Sequence, residues 1–292
     1  MEPAMRYFYL CAIFYAPFTA AHSWRDQFEI YKHTIDEAPY QLLLRQYTCF
    51  SESAAPFIAD DVIKSIPIIE SGEPLISIDE LAHPRIWALE GERLYLAHDA
   101  PEDIDPRGQL HGHVRASVAD ALVRMIAALD RCAPAFGYDP GELEIALFEG
   151  LRDLGTQKEL FDTKMAAIMA ADPTLSYEEA YRKTSCFVSP YIDNLPTHST
   201  GAAIDICLWS NKKQAFCRMG RFNVGSPAAP TFTHEHLSDD AIRNRLLFVF
   251  AAAAAGLTNY LYEFWHFSYG DRYAAYWRSV DPALRSALYG AL

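Results

Sequence analysis

Thr197-His-Ser-Thr-Gly-Ala-Ala-Ile-Asp205 is the stretch around which the rest of the sequence is best interpreted. It places the imidazole of His198 and the carboxylate of Asp205 seven residues apart, with Gly201 between them. The acid lies in the apolar run 202–209, which predicts a buried strand. Because no cation neighbours Asp205 in the sequence, an ionised carboxylate there needs a partner or a metal ion.

A second stretch near the C-terminal end, Leu261-Tyr-Glu-Phe-Trp-His-Phe267, carries Glu263 and His266 among aromatic residues. Two histidines, one aspartate and a spare glutamate match the needs of a catalytic zinc site, which has three protein ligands, an open position and a nearby base. Residues three apart in an ideal strand point to opposite faces, so Glu263 and His266 share a site only if the strand ends or bulges there.

Structural interpretations of the same residues stay open at this point. His198 and Asp205 also fit a loop histidine and a buried ion-pair member, and His266 also fits a core histidine packed among aromatic rings. Two other histidine pairs compete as zinc ligands, but both lie in polar sequence that predicts solvated loops. These pairs are His111 with His113 and His234 with His236.

Composition excludes several classes of protein. The chain has 292 residues, of which 51% are apolar, enough for a sizeable core. A formal net charge of -13 and the lack of Lys/Arg-rich runs argue against nucleic-acid binding and favour a small substrate. No apolar run reaches the ~20 residues that a membrane-spanning helix needs. Motifs of serine hydrolases, P-loop NTPases and dinucleotide-binding proteins are absent. The sequence does not indicate an oligomeric state.

The N-terminus has two interpretations. Arg6 followed by the apolar run 7–18 and small residues up to Ala21 resembles a signal peptide, which would make the protein periplasmic or secreted. The alternative is an amphipathic segment packed on the fold of a cytoplasmic protein. The six cysteines form no C-x-x-C pair and do not decide between these compartments.

Helices mixed with hairpin-connected strands, instead of strict alternation, favour an α+β fold with a small antiparallel sheet flanked by helices. The strand that carries Asp205 would place the zinc site on this sheet. We expect a possible signal peptide at 1–21, an irregular region flanking the site at 22–112, and a catalytic domain at 113–292. Within the domain, Ser176 and Glu179 have the spacing of a capping box. Helices are predicted at 114–132, 156–171, 174–183 and 238–255, and strands at 143–148, 202–209, 215–219 and 257–266.

The motif His198-x-x-Gly-x-Ala-x-Asp205 followed by Glu263-x-Trp-His266 resembles the zinc D-Ala-D-Ala metallopeptidases. The closest resemblance is to the D-alanyl-D-alanine dipeptidases of the vancomycin-resistance type. Glu149-Gly-Leu-Arg152 is similar to the Asp-Gly-Tyr-Arg turn of that family, and Met219-Gly-Arg-Phe to its Met-Gly-x-x-Phe-Asp segment. The resemblance covers roughly residues 143–278, with the motifs in the family's order.

The resemblance implies a role for each matching residue. His198, Asp205 and His266 would bind one Zn²⁺ per chain, and Glu263 would be the general base that activates water. Arg152 would stabilise the oxyanion, because a guanidinium stays charged and offers several donors.

Two positions depart from the family and concern substrate binding. Pro196 replaces a serine, which leaves Thr197 as the nearby hydroxyl. Asn223 stands where the dipeptidases place an aspartate that pairs with the substrate's amino group, and an amide lacks that charge. The resemblance as a whole predicts hydrolysis of D-Ala-D-Ala or a related D-amino-acid dipeptide from cell-wall metabolism. The alternatives are a D,D-carboxypeptidase or endopeptidase acting on peptidoglycan stem peptides, and a non-catalytic zinc-binding recognition protein.

Overall fold

The computed structural model describes residues 23–89, 111–220 and 226–292. The predicted signal peptide and the predicted substrate contact Asn223 lie outside these ranges. The described α-helices are α1 (Trp24–Tyr31), α2 (Glu37–Ser51), α3 (Asp61–Lys64), α4 (Ala116–Cys132), α5 (Leu154–Ala171), α6 (Tyr177–Ser185), α7 (Asp239–Ala254) and α8 (Arg272–Arg278). The described strands are β1 (Leu75–Ser77), β2 (Ile86–Ala88), β3 (His113–Arg115), β4 (Leu143–Glu149), β5 (Ala203–Ser210), β6 (Ala215–Phe216), β7 (Thr258–Asn259) and β8 (His266–Ser268).

Within the described residues, the main sheet has the strand order β2-β4-β5-β8-β7, and β6 pairs with the end of β5. The pairs of β5 with β4 and with β8 are antiparallel, as predicted. The pair of β2 with β4 is parallel, because the chain returns to the sheet through α4 and not through a hairpin. The predicted α+β class is confirmed, with this one parallel pair as the difference.

The hydrophobic core lies behind the sheet. Phe267 of β8 pairs with Ile204 of β5 and contacts Phe248 of α7, with ring centroids 4.9 Å apart. This face of the sheet is therefore covered by α7, and the neighbouring positions Asp205 and His266 point to the other face. Trp24 and Phe28 of α1 are fully buried in the same core. The predicted domain boundary between residues 112 and 113 stays a prediction. Helices α1 to α3, which precede it, share one core with the sheet.

Most of the predicted regular elements are present. Helices α4 to α7 lie within a few residues of their predicted positions, and the capping box of Ser176 and Glu179 at the start of α6 is confirmed. The predicted strand 257–266 is wrong. A tight turn interrupts it after Asn259, because Glu263 N–H donates to the Tyr260 carbonyl at 3.0 Å and the pairing resumes only at His266.

Two further features concern membrane-spanning helices and disulfide bonds. None of the helices in the described part of the chain combines the length and the apolar character that crossing a bilayer requires. The cysteines in that part are free thiols, namely Cys49, Cys132, Cys186, Cys207 and Cys217.

Gly150 is where the turn after β4 meets the backbone of residues 111–113. Its N–H donates to the His111 carbonyl at 2.6 Å, and the next N–H, of Leu151, donates to the His113 carbonyl at 2.8 Å. The predicted solvated loop is therefore wrong for His111, which is buried, and for His113, which begins β3. A side chain on Gly150 would collide with the His113 carbonyl oxygen and would lie 3.0 Å from that of His111. Only glycine allows this approach.

We expect Gly150→Ala to lower the free energy of unfolding by about 3 kcal/mol, because backbone oxygens cannot move away as a flexible side chain can. Gly72→Ala is the control. Gly72 has φ +70° and open space around its Cβ position, so it should lose only roughly 1–2 kcal/mol from backbone strain. Chemical denaturation of both variants measures the difference, and equal losses would contradict the packing argument.

Candidate metal centre

Three neighbouring strands bring acidic and basic side chains into one row. In the register of the sheet, Asp205 of β5 lies opposite Glu149 of β4 on one side and opposite His266 of β8 on the other. Cross-strand partners share a face, so all three side chains point away from the helix-covered core. A β-bulge at Phe148 creates this alignment, since Leu147 pairs with Ile206 and the next pair is Glu149 with Asp205.

His198 joins the row from the 3-10 turn that precedes β5. Its Nε2 lies 3.1 Å from His266 Nδ1 and 3.4 Å from Asp205 Oδ1, and His266 Nδ1 lies 3.1 Å from the same oxygen. Ligand atoms around a tetrahedral zinc ion are about 3.4 Å apart, given Zn–N and Zn–O distances of about 2.0–2.1 Å. The three side chains therefore converge at the spacing of ligands that share one small cation.

The hydrogen bonds of the two imidazoles agree with this interpretation. His198 Nδ1 donates to the Gly150 carbonyl at 2.9 Å, which leaves the lone pair of a neutral ring on Nε2, facing the cluster. His266 Nε2 lies 3.4 Å from the Thr197 hydroxyl, so its Nδ1 faces the cluster. Asp205 Oδ1 is buried and accepts no hydrogen bond from the described residues. A buried carboxylate oxygen within 3.1–3.4 Å of two imidazole nitrogens is a donor set that fits a metal ion.

The electrostatics of the cluster favour positive charge. Burial opposes ionisation of Asp205, but the two histidines outweigh it and hold the pKa of this carboxyl well below its usual range. Burial likewise opposes protonation of His198, but the charge of Asp205 raises the pKa of this imidazole above its ordinary value. The negative charge of Asp205 would equally stabilise a cation bound at this point.

Glu263 lies beside the cluster and outside the row. Its Oε2 is 3.9 Å from His266 Nδ1, and its side chain keeps 16% of its surface exposed while that of His266 keeps 4%. Burial raises the pKa of Glu263 to about 7, with Asp205 also raising it and His266 and Arg152 opposing the rise. The carboxyl is thus placed to hold or release a proton near the candidate ligands.

Arg152 is held on the opposite side of the row by Glu149. Its Nε donates to Glu149 Oε1 at 2.6 Å, Nη2 donates to Glu149 Oε2, and Nη1 donates to Gln157 at 2.8 Å. Burial would lower the pKa of Arg152, but Glu149 and, more weakly, Asp205 and Glu263 raise it above its usual range. The guanidinium is therefore charged and fixed in orientation within the field of the cluster.

The structure brings together His198, Asp205, His266, Glu263 and Arg152, and their roles stay predictions. Thr197 lies behind His266, with 5% of its surface exposed, and its predicted substrate contact also stays a prediction. Sequence reasoning missed Gln157 and Asn259, which support the site through hydrogen bonds. Asn259 did carry a signal, because asparagine is unfavourable inside a strand such as the one predicted for 257–266. Gln157 carried none.

A family model and a curated relative point to one class of protein. The family model described as D-Ala-D-Ala dipeptidase, of peptidase family M15, matches residues 159–281. A D-alanyl-D-alanine dipeptidase from Synechocystis sp. is 27% identical over 244 residues, which cover 76% of this chain and 90% of the relative. The solved structure of the LD-carboxypeptidase LdcB, described as revealing the molecular basis of peptidoglycan recognition, is 21% identical with a TM-score of 0.33. That match covers 60% of this chain and 66% of the other.

The chain is therefore a metallopeptidase. More specifically, the family match and the Synechocystis relative confirm the resemblance to the D-alanyl-D-alanine dipeptidases that the motifs predicted. The matched residues 159–281 contain His198, Asp205, Glu263 and His266.

We expect His198→Ala and Asp205→Ala to reduce bound zinc from about one ion per chain to near zero, because each removes one of three converging ligands. The measurement is the zinc content of purified protein after dialysis. His33→Ala is the control, since His33 is exposed in a different part of the fold and should retain full zinc. Full zinc in either site variant would reject that residue as a ligand.

Proposed function

We propose that this chain hydrolyses D-Ala-D-Ala or a related D-amino-acid dipeptide from cell-wall metabolism, using one zinc ion held by His198, Asp205 and His266. The observation that carries the proposal is the convergence of the three ligand atoms within 3.1–3.4 Å of one another. The dipeptidase relative supports the substrate class. When bound, zinc acts as a Lewis acid that makes water nucleophilic at neutral pH and polarises the scissile carbonyl.

Glu263 serves as the general base in this proposal. It lies close to the candidate ligands yet is not one of the three converging groups, so its carboxylate can accept a proton from the attacking water. The same oxygen can later return the proton to the leaving amine. Partial exposure of its side chain lets water and substrate reach it.

Arg152 stabilises the oxyanion of the tetrahedral intermediate. Three of its five N–H groups are used by Glu149 and Gln157, and the structure shows no acceptor among the described residues for the other two. These two donors can bind an oxygen on which negative charge develops. Because Glu149 and Gln157 hold the guanidinium in advance, little reorganisation is needed during the reaction.

We expect Glu263→Gln to retain zinc and to lower kcat by about 10²–10⁴-fold, because the amide cannot accept the proton. Turnover of D-Ala-D-Ala and zinc content are measured on the same preparation. Glu159→Gln is the matched control, because Glu159 is exposed on α5. A near-normal rate for Glu263→Gln would remove Glu263 as the base. If both the wild type and Glu263→Gln hydrolyse D-Ala-D-Ala only at the background rate, the non-catalytic zinc-binding alternative is favoured instead.

Substrate preference separates the two peptidase alternatives. We expect a higher kcat/KM for free D-Ala-D-Ala than for a pentapeptide stem or an L,D-dipeptide, measured as D-alanine release by the zinc-loaded protein. Faster hydrolysis of the stem would favour the D,D-carboxypeptidase or endopeptidase. That outcome would agree with Asn223, which has no charge to pair with a free amino group. We propose a periplasmic or secreted location if residues 1–21 are removed as a signal peptide.

A further inference from the structure

A six-residue turn sets the distance between Glu263 and His266. It connects the end of β7 to the start of β8 and is closed by the N–H of Tyr260, which donates to the His266 carbonyl at 2.9 Å. Inside it, Glu263 N–H donates to the Tyr260 carbonyl at 3.0 Å and His266 N–H donates to the Glu263 carbonyl at 3.2 Å. A carbonyl oxygen has two lone pairs, so the carbonyls of Glu263 and His266 can each accept a second donor.

Asn259 supplies those donors from inside the fold. Its side chain is almost fully buried, with 3% of the residue surface exposed. Its Nδ2 lies 3.0 Å from the His266 carbonyl oxygen, 3.3 Å from that of Glu263 and 3.4 Å from that of Phe264. One amide group therefore contacts the backbone of both the candidate base and a candidate ligand.

The orientation of this amide follows from its neighbours. Asn259 Oδ1 accepts a hydrogen bond from the Thr231 hydroxyl. The reversed amide would place its oxygen against three carbonyl oxygens, which cannot donate to it, and would lose all three contacts. Thr231 is itself fully buried, and its N–H donates to the Leu261 carbonyl at 3.0 Å, so it is fixed to the same turn.

We propose that Asn259 is a positioning residue, which sets the Glu263 carboxylate and the His266 imidazole at their working separation. The inference rests on the proposed function, which assigns the base to Glu263 and a zinc ligand to His266. Glu263 Oε2 and His266 Nδ1 are 3.9 Å apart, and a misplacement of about 1 Å can cost ~10²-fold in rate. A side chain that ties both backbone segments together controls this distance without touching the substrate.

Asn244 is a matched control for a purely structural role. It is also buried, with 4% of its surface exposed, and its amide has the same kinds of partner. Its Nδ2 donates to the Arg218 carbonyl at 2.8 Å, and its Oδ1 accepts from the Tyr138 hydroxyl at 2.9 Å. The hydrogen bonds of the Asn244 side chain go to neither Glu263 nor His266. Replacing each asparagine by aspartate keeps the shape and removes the same donors.

The test compares the zinc-loaded full chains of Asn259→Asp and Asn244→Asp. For Asn259→Asp we expect kcat to fall about 100-fold with KM within about threefold of the wild type. Zinc affinity, measured by chelator competition, should fall about 10- to 100-fold, because the support of His266 is lost. Asn244→Asp should keep the wild-type kcat and zinc affinity, even if its melting temperature falls as much as that of Asn259→Asp. Cobalt-loaded protein should show a changed visible spectrum only in Asn259→Asp.

Equal kcat and equal zinc affinity in the two variants would overturn the positioning role. If Asn259→Asp does not fold, Thr231→Val provides the second test. It is isosteric and removes the hydroxyl that orients Asn259, so a folded variant with wild-type kcat and zinc affinity would also overturn the role. The zinc-affinity measurement separates this inference from the assignment of the base, because it does not depend on Glu263. Loss of the base assignment in Glu263→Gln would leave that measurement unaffected.

Discussion

A carboxylate buried in the middle of a sheet is the constraint on which the rest of this structure depends. Asp205 lies between Ile204 and Ile206, which are both fully buried, and an ionised group there is costly unless positive charge lies beside it. His266 on the next strand and His198 from the preceding turn provide that environment. The same requirement for positive charge makes the cluster suitable for a divalent cation.

The side chains of the cluster are held mainly by backbone groups. The Gly150 carbonyl fixes the ring of His198, and the Gly150 N–H is bound in turn by the backbone at His111. The carbonyls of Glu263 and His266 are bound by one buried amide, that of Asn259. Because these backbone groups are tied by hydrogen bonds, the candidate ligands and the candidate base keep their relative positions before a substrate arrives.

The sequence predicted much of this arrangement because several of its signals are local. Apolar periodicity located α4, the start signal at Ser238 and the stop signal at Gly256 located α7, and the alternation around Leu143 located β4. The prediction failed at 257–266, where the aromatic composition favours a strand but hydrogen bonds to Asn259 and between backbone groups form a turn. The failure concerns the site directly. An uninterrupted strand would have separated Glu263 and His266 onto opposite faces, and the turn removes that conflict.

By itself, the sequence determined the inventory of the site: a histidine and an aspartate around a glycine turn, a later Glu-x-x-His, and an arginine after β4. Residue types and short spacings are properties of the chain, so they can be recognised without a fold. Only the tertiary structure decided that Glu149, Asp205 and His266 form one row and that Glu149 holds Arg152. Register, the bulge at Phe148 and the bonds of Asn259 depend on pairing between segments far apart in the chain, and no local pattern encodes such pairing.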